Sequence, residues 1–107
     1  MPVKVLIEVK EIRGLGYCKK LVVGQKWTYP DDVSGLCPFA LNSLLPALFI
    51  LQFGGRHPQS SYTGSEDSVV ECCPDAMRPV VFLLTRVRDE EHPAVEEDAT
   101  VYRPYIA

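Results

Sequence analysis

The stretch that decides the fold is "DVSGLCPFALNSLLPALFILQFGG", which covers residues 32–55. Pro38 suits the first turn of a helix, and the residues after it are nearly all apolar or small. The pair Gly54–Gly55 can supply the left-handed residue that ends a helix. The sequence therefore predicts one major helix over about residues 38–53.

The surface of this helix is apolar on nearly every side, with Asn42 and Ser43 as a narrow polar stripe. A helix of this kind is buried on more than one side. We therefore expect it to pack on a sheet and also against a second copy of the chain, as a homo-oligomer. Pro46, in its middle, should kink the helix or divide it in two.

Strand patterns lie on both sides of the helix. Residues 3–12 alternate apolar and polar side chains with period two and predict a half-buried strand. Residues 21–29 predict two short strands with a bulge or turn at Gly24. Residues 68–73 and 79–88 predict two more strands. Because no βαβ alternation is sustained, we expect an α+β fold, a small, largely antiparallel sheet or partly open barrel with one major buried helix.

The 107 residues suffice for one domain, predicted over residues 1–88, followed by an acidic, extended tail over 89–107. The start of the chain lacks the apolar run of a signal peptide, and no run is long enough to cross a bilayer. We therefore expect a cytoplasmic protein without a membrane partner. A net charge of −3 argues against nucleic acid as a partner. Arg86 and Arg88 are assigned to an exposed charged face.

Cys37 is the first candidate for chemistry. A cytoplasmic location favours free thiols, ligands or nucleophiles over disulfides for all four cysteines. Because Cys37 precedes Pro38, it should lie at the N-cap, beside the unpaired amides and positive pole of the helix. That environment favours a thiolate and is typical of reactive cysteines. The alternative is that Cys37 is a small apolar residue that seals the core.

A second cysteine-proline pair ends the strand predicted before residue 74. Cys73 should point to one face of that strand and Cys72 to the other, where we expect Cys72 to belong to the core. Asp75 follows as a candidate general base, although a turn aspartate more often accepts hydrogen bonds from turn amides.

A metal site is the alternative interpretation of the thiols. Cys18, Cys37 and Cys73 all lie at the ends of predicted elements, where they can converge. Three thiolates with His57 as fourth ligand would suit zinc. The cysteine spacings do not match a zinc finger, and a histidine in a solvated loop is more often no ligand.

Two further groups of residues are candidates for binding a substrate. Gly54 and Gly55 can let an anionic group approach backbone amides, with Arg56 as its counter-charge. Trp27 and Phe39 can line an apolar pocket. The alternatives are a simple helix terminator for the glycines and core packing for the aromatic residues.

The motifs "SGLCPFAL", "FGG" and "CPD" followed by "RPVVFLL" resemble those of a family of small proteins from bacteria, archaea and fungi without an established activity. The resemblance covers about residues 3–88 and marks Cys18, Cys37 and Cys73 as motif cysteines without giving them a role. Phe39 stands where many members carry Trp, and the tail is an addition. Some fungal members lie among biosynthetic enzymes, which implies a small-metabolite substrate.

The sequence is therefore consistent with three functions. The first is a small enzyme without an organic cofactor, of lyase, isomerase or cyclase type, that acts on a small metabolite through Cys37 with Cys73 and Asp75. The second is a metal-binding module in which the three motif cysteines hold zinc. The third is a structural subunit of an oligomer, in which the cysteines only pack.

Overall fold

Four strands and one long helix form the described part of the chain, which in this computed structural model is residues 3–87. The predicted tail over 89–107 lies outside the described residues. The elements in chain order are β1 (Val5–Ile12), β2 (Lys26–Tyr29), α1 (Pro38–Gln52), a short 3₁₀ helix (Pro58–Tyr62), β3 (Ser68–Cys72) and β4 (Val80–Arg86).

The strands form one antiparallel sheet in the order β2-β1-β4-β3. The sheet is open, with β2 and β3 at its two edges, and α1 packs on one of its faces. The prediction of an α+β fold with a largely antiparallel sheet and one major helix is thus confirmed, in its open-sheet form.

The half-buried strand predicted from the period-two pattern is confirmed in β1, because Val5, Ile7 and Val9 are fully buried between the sheet and α1. The prediction of two short strands around Gly24 is wrong. Gly24 has a left-handed φ of 95° and donates its N–H to the Val9 carbonyl, so the chain turns there and only β2 follows. The irregularity in the sheet lies in β1, where the register shifts between Val9 and Glu11.

Helix α1 places one stripe of side chains on the sheet. The stripe recurs every three or four residues and is fully or almost fully buried: Ala40, Leu44, Ala47, Leu48 and Leu51. Pro46 does not divide the helix. Because proline has no N–H, the Asn42 carbonyl lacks its helical hydrogen bond. Both residues are exposed, so water can donate to this carbonyl instead. Among the described residues no helix is long and apolar enough to span a bilayer.

The two ends of α1 match the expected signals. Cys37 is the N-cap and Pro38 the first helical residue. At the other end Gly54 has a φ of 81°, its N–H bonds the Leu51 carbonyl, and the Gly55 N–H bonds the Ile50 carbonyl at 2.8 Å. This pair of bonds is a Schellman motif, so Gly54 is the predicted left-handed terminator.

Arg86 is buried, which corrects its assignment to an exposed charged face. It follows Val80, Phe82 and Leu84 on the inner face of β4, and its side chain is 1% exposed. The guanidinium donates to three carbonyls and one carboxylate: Leu51 O (3.2 Å), Gly55 O (2.9 Å), Glu66 O (2.8 Å) and Asp67 Oδ1 (3.1 Å). One side chain thereby joins β4, the end of α1 and the loop before β3.

The loop that leads into α1 is held by its own hydrogen bonds. Asp32 Oδ1 accepts the Ser34 N–H at 3.0 Å, and this bond lowers the pKa of Asp32. Trp27 donates its Nε1–H to the Ser34 carbonyl at 2.8 Å. The loop is therefore fixed to β2, and this sets the position at which Cys37 begins the helix.

Candidate functional site

A cavity of about 430 Å³ lies where the N-terminal end of α1 meets two loops. All three motif cysteines line it, Cys18 from one loop, Cys37 from the helix cap and Cys73 from the end of β3. Most of the remaining wall is apolar: Leu21, Phe39, Ala40, Pro74, Ala76 and Val80. The three cysteines that the sequence places at element ends therefore line one cavity.

The two loops reach the cavity because they dock on each other. The Arg13 N–H donates to the Pro79 carbonyl at 2.9 Å, and the Leu15 N–H donates to the Met77 carbonyl at 3.0 Å. Between them Gly14 has a φ of 66°, and a Cβ built on it would lie 2.1 Å from the Met77 oxygen. Only glycine fits this approach. This docking positions the loop after β1, so that Cys18 lines the cavity.

Cys37 is the cavity thiol without a hydrogen bond to any described residue. As N-cap it stands beside the amides of Phe39 and Ala40, which a Ser or Asp cap would bind and which here have no side-chain partner. Its side chain is half-buried and also borders a second, shallower cavity next to Lys20. The half-buried Cys37 side chain therefore lies at the helix N-terminus, and the residue lines both cavities.

The other two thiols of the cavity are engaged with the backbone. Cys73 Sγ accepts the Val80 N–H at 3.3 Å, and the thiol donates to the Arg78 carbonyl at 3.9 Å. Cys18 Sγ accepts the Lys20 N–H at 3.5 Å. Cys73 is buried, so these bonds make it a packing residue that closes the loop 74–79.

Cys72 faces away from Cys73, as predicted, but its assignment to the core is wrong. Val69 and Cys73 are buried on the face under α1, whereas Val70 and Cys72 are exposed on the other face. Each face of this segment carries one valine and one cysteine, so the sequence alone does not indicate which face is buried.

Asp75 organises the loop that carries it. Its Oδ1 accepts the Met77 N–H at 2.9 Å and the Arg78 N–H at 3.2 Å, which is the turn role that the sequence favoured over a general base. Its Oδ2 lies 3.7 Å from Arg78 Nε. Oδ1 is thus hydrogen-bonded to the loop, whereas Oδ2 forms a salt bridge with Arg78 without a hydrogen bond.

Arg78 is the charged wall residue that the sequence analysis missed. Its guanidinium carbon lies 5.3 Å from the centre of the Tyr17 ring, and its side chain is 25% exposed. Its Nε is buried without a hydrogen bond, and no described residue accepts a hydrogen bond from the guanidinium. Its position three residues after Asp75 could have indicated it, because a turn at the aspartate brings residue i+3 back to the carboxylate.

Of the predicted substrate-binding residues, Phe39 lines the cavity. Trp27 is a core residue. Gly54, Gly55 and Arg56 follow the opposite end of α1 and do not line the cavity. There the glycines end the helix, and Arg56 Nε lies 3.5 Å from Glu66 Oε2.

The predicted fourth metal ligand, His57, does not line the cavity either. Its Nδ1 accepts the Gln59 N–H at 3.1 Å, and its Nε2 lies 3.6 Å from Glu71 Oε1. Across residues 3–87, no group of three or more His, Cys, Asp or Glu side chains is placed to hold a metal ion. The zinc alternative, with Cys18, Cys37, Cys73 and His57 as ligands, therefore has no geometric support in this part of the chain.

The geometry brings one unengaged thiol, one guanidinium and the first-turn amides of a helix to a single apolar cavity. Such a set can bind a small polarised molecule and react with it. The chain matches no protein-family model, no curated protein and no solved structure, so its function has to be argued from this cavity.

Proposed function

We propose that the protein is a small cytoplasmic enzyme of lyase, isomerase or cyclase type, with the Cys37 thiol as its reacting group and a small metabolite as substrate. The observation that carries the proposal is the contrast among the cavity thiols. Cys18 and Cys73 bond to the backbone, whereas Cys37 is unbonded at the helix N-terminus. Free, partly exposed thiols in electropositive surroundings are the reactive class of cysteine.

The proposed chemistry uses only groups of the chain. The Cys37 thiolate takes a proton from a substrate carbon next to a carbonyl, and the electron pair moves to the carbonyl oxygen. The amides of Phe39 and Ala40 stabilise the negative oxygen, as backbone donors do in oxyanion holes. In an isomerisation of a β,γ-unsaturated substrate, the thiol returns the proton to the γ-carbon as the double bond moves into conjugation with the carbonyl. In an elimination, the electron pair forms a double bond to the β-carbon and expels the leaving group on it, which departs with the proton held by the thiol. Cys73 and Asp75 hold the loop and are positioning residues.

Reactivity with iodoacetamide tests the proposal. We expect Cys37 to be alkylated about 10-fold faster than Cys72 at pH 7, because a half-buried thiol beside unpaired helix amides is in the environment typical of reactive cysteines. Cys72 is the internal reference, since it is exposed and lies outside the cavity. Peptide mapping by mass spectrometry gives both rates from one sample. Cys37→Ala should remove the fast reaction and Cys72→Ala should leave it. A Cys37 rate no higher than that of Cys72 would contradict the proposal.

The outer face of α1 supports a second proposal, self-association as a homo-oligomer. Phe39, Phe49 and Phe53 are 74%, 61% and 56% exposed, and the helix contains no charged residue that would oppose a second copy. The rings of Phe49 and Phe53 lie 4.7 Å apart and form one continuous apolar surface. Because Phe39 also lines the cavity, a second copy on this surface would border its entrance.

Sedimentation velocity tests self-association. We expect the wild-type chain to sediment as an oligomer at micromolar concentration, and Phe49→Glu to sediment as a monomer, because each contact would bury a charge. Val22→Glu is the matched control, since Val22 is also 61% exposed but lies outside the helix. A monomeric wild type, or equal dissociation by both variants, would rule out association through α1.

A further inference from the structure

We infer that the ligand of the cavity carries a carboxylate, bound by the Arg78 guanidinium in the cavity that Cys37 also lines. The inference rests on the proposed function and deepens it by naming the substrate class. Arg78 and Cys37 line the same cavity. The ligand would therefore be a small organic acid with its acid group at Arg78 and its reacting carbon at Cys37.

The hydrogen-bond donors of Arg78 are what points to an anion. A guanidinium has five N–H donors, and a guanidinium removed from water needs acceptors for them. Here no described residue accepts a hydrogen bond from the group. Its Nε is buried, whereas the two terminal nitrogens are accessible, so only their N–H donors can reach a ligand. The contact with the Tyr17 ring uses the cation and no N–H donor. The donors of the two terminal nitrogens therefore remain for a ligand.

Asp75 does not supply the missing acceptor. Its Oδ1 is taken by the amides of Met77 and Arg78, and its Oδ2 stands 3.7 Å from Nε, beyond hydrogen-bond distance. A carboxylate ligand can instead accept two parallel bonds in the fork geometry that arginine favours. The hydrogen bonds of Asp75 instead fix the loop 74–79, and this positions Arg78 in the cavity wall.

The rest of the cavity limits the ligand. Leu21, Phe39 and Val80 give it apolar walls, and its volume of about 430 Å³ suits a small molecule. Lys20 borders the shallower cavity that Cys37 also lines, so each of the two cavities at Cys37 has one cationic residue in its wall. These features favour an acid with an apolar body over a neutral or cationic metabolite.

Two alkylating agents of nearly equal size test this preference. Iodoacetate and iodoacetamide both form a thioether as the thiolate displaces iodide, and they differ in carrying a carboxylate or an amide. We expect the rate ratio of iodoacetate to iodoacetamide to be about 10-fold higher at Cys37 than at Cys72, which corresponds to one hydrogen-bonded ion pair. Arg78→Met should reduce the ratio to that of Cys72, and Arg78→Lys should keep part of it. Arg56→Met, at the other end of α1, should not change it.

A binding measurement separates this inference from the proposed function, because it does not need a reactive thiol. NMR titration with phenylacetate should shift the amide resonances of Ala40 and Arg78, while phenylacetamide should not, and Arg78→Met should abolish the shifts. Selective phenylacetate binding with an unreactive Cys37 supports the carboxylate site and contradicts the proposed enzyme. If Cys37 is alkylated fast but the site prefers neither iodoacetate over iodoacetamide nor phenylacetate over phenylacetamide, the carboxylate site is overturned. The proposed enzyme is then still supported. Thermal unfolding followed by circular dichroism verifies that each variant is folded.

Discussion

Replacing Arg86 with methionine is expected to lower the free energy of unfolding by about 3–5 kcal/mol, the range for removing one partner of a buried charged network. The substitution removes the guanidinium donors from the carbonyls of Leu51, Gly55 and Glu66 and from the carboxylate of Asp67. Methionine fills similar space but offers no hydrogen bond. Because a whole domain is stable by only about 5–15 kcal/mol, this loss is a large share of the total.

Urea unfolding followed by circular dichroism measures this effect. Arg13→Met is the matched control, because Arg13 also pairs with a carboxylate, that of Glu11 at 2.7 Å, but the two side chains are 65% and 50% exposed. The control should lose less than about 1 kcal/mol. The loss in free energy of unfolding for Arg86→Lys should lie between those of the two methionine variants, since a single ammonium cannot replace a planar guanidinium with donors in several directions. Equal losses for both methionine variants would show that the Arg86 network does not stabilise the fold.

Arg86 also shows what the sequence could and could not predict about the fold. The alternation along β1 and the apolar run of β4 predicted both strands, and Val80, Phe82 and Leu84 have the same parity as Arg86. Because the other face of β4 is also apolar, the parity does not indicate which face is buried, and arginine is rarely buried. The acceptors that make burial acceptable come from α1 and a loop distant in sequence, where no local pattern points to them.

The same division between local and distant signals holds for the candidate site. The helix cap at Cys37 and the turn at Asp75 follow from neighbouring residues, and the sequence predicted both. Arg78 reaches the cavity because the loop 74–79 packs against the turn at Gly14, a contact between segments more than 60 positions apart. The sequence offered Arg56 instead, because it follows the glycines of the helix end. Local motifs could not show that these glycines lie away from the thiols.

The docking of these two loops makes Gly14→Ala the second large effect expected. A Cβ at this position would lie 2.1 Å from the Met77 oxygen, 3.0 Å from the Met77 carbonyl carbon and 3.3 Å from Pro79 Cδ. The backbone must therefore move, which adds about 1–3 kcal/mol of overpacking. The left-handed φ of 66° costs a side chain about 1–2 kcal/mol more. We expect a total loss of about 2–5 kcal/mol in the free energy of unfolding.

Gly16→Ala is the control that separates the two terms, since Gly16 has a φ of 82° but no atom within 4 Å of the added Cβ. It should lose only the conformational part, about 1–2 kcal/mol. The two variants should also differ at the site, because a shift of Met77 moves the neighbouring Arg78. Gly14→Ala should therefore reduce the iodoacetate preference of Cys37, measured under conditions where the variant is folded, while Gly16→Ala should keep it. Equal stability and equal alkylation ratios in the two variants would mean that the loop contact neither stabilises the fold nor positions Arg78.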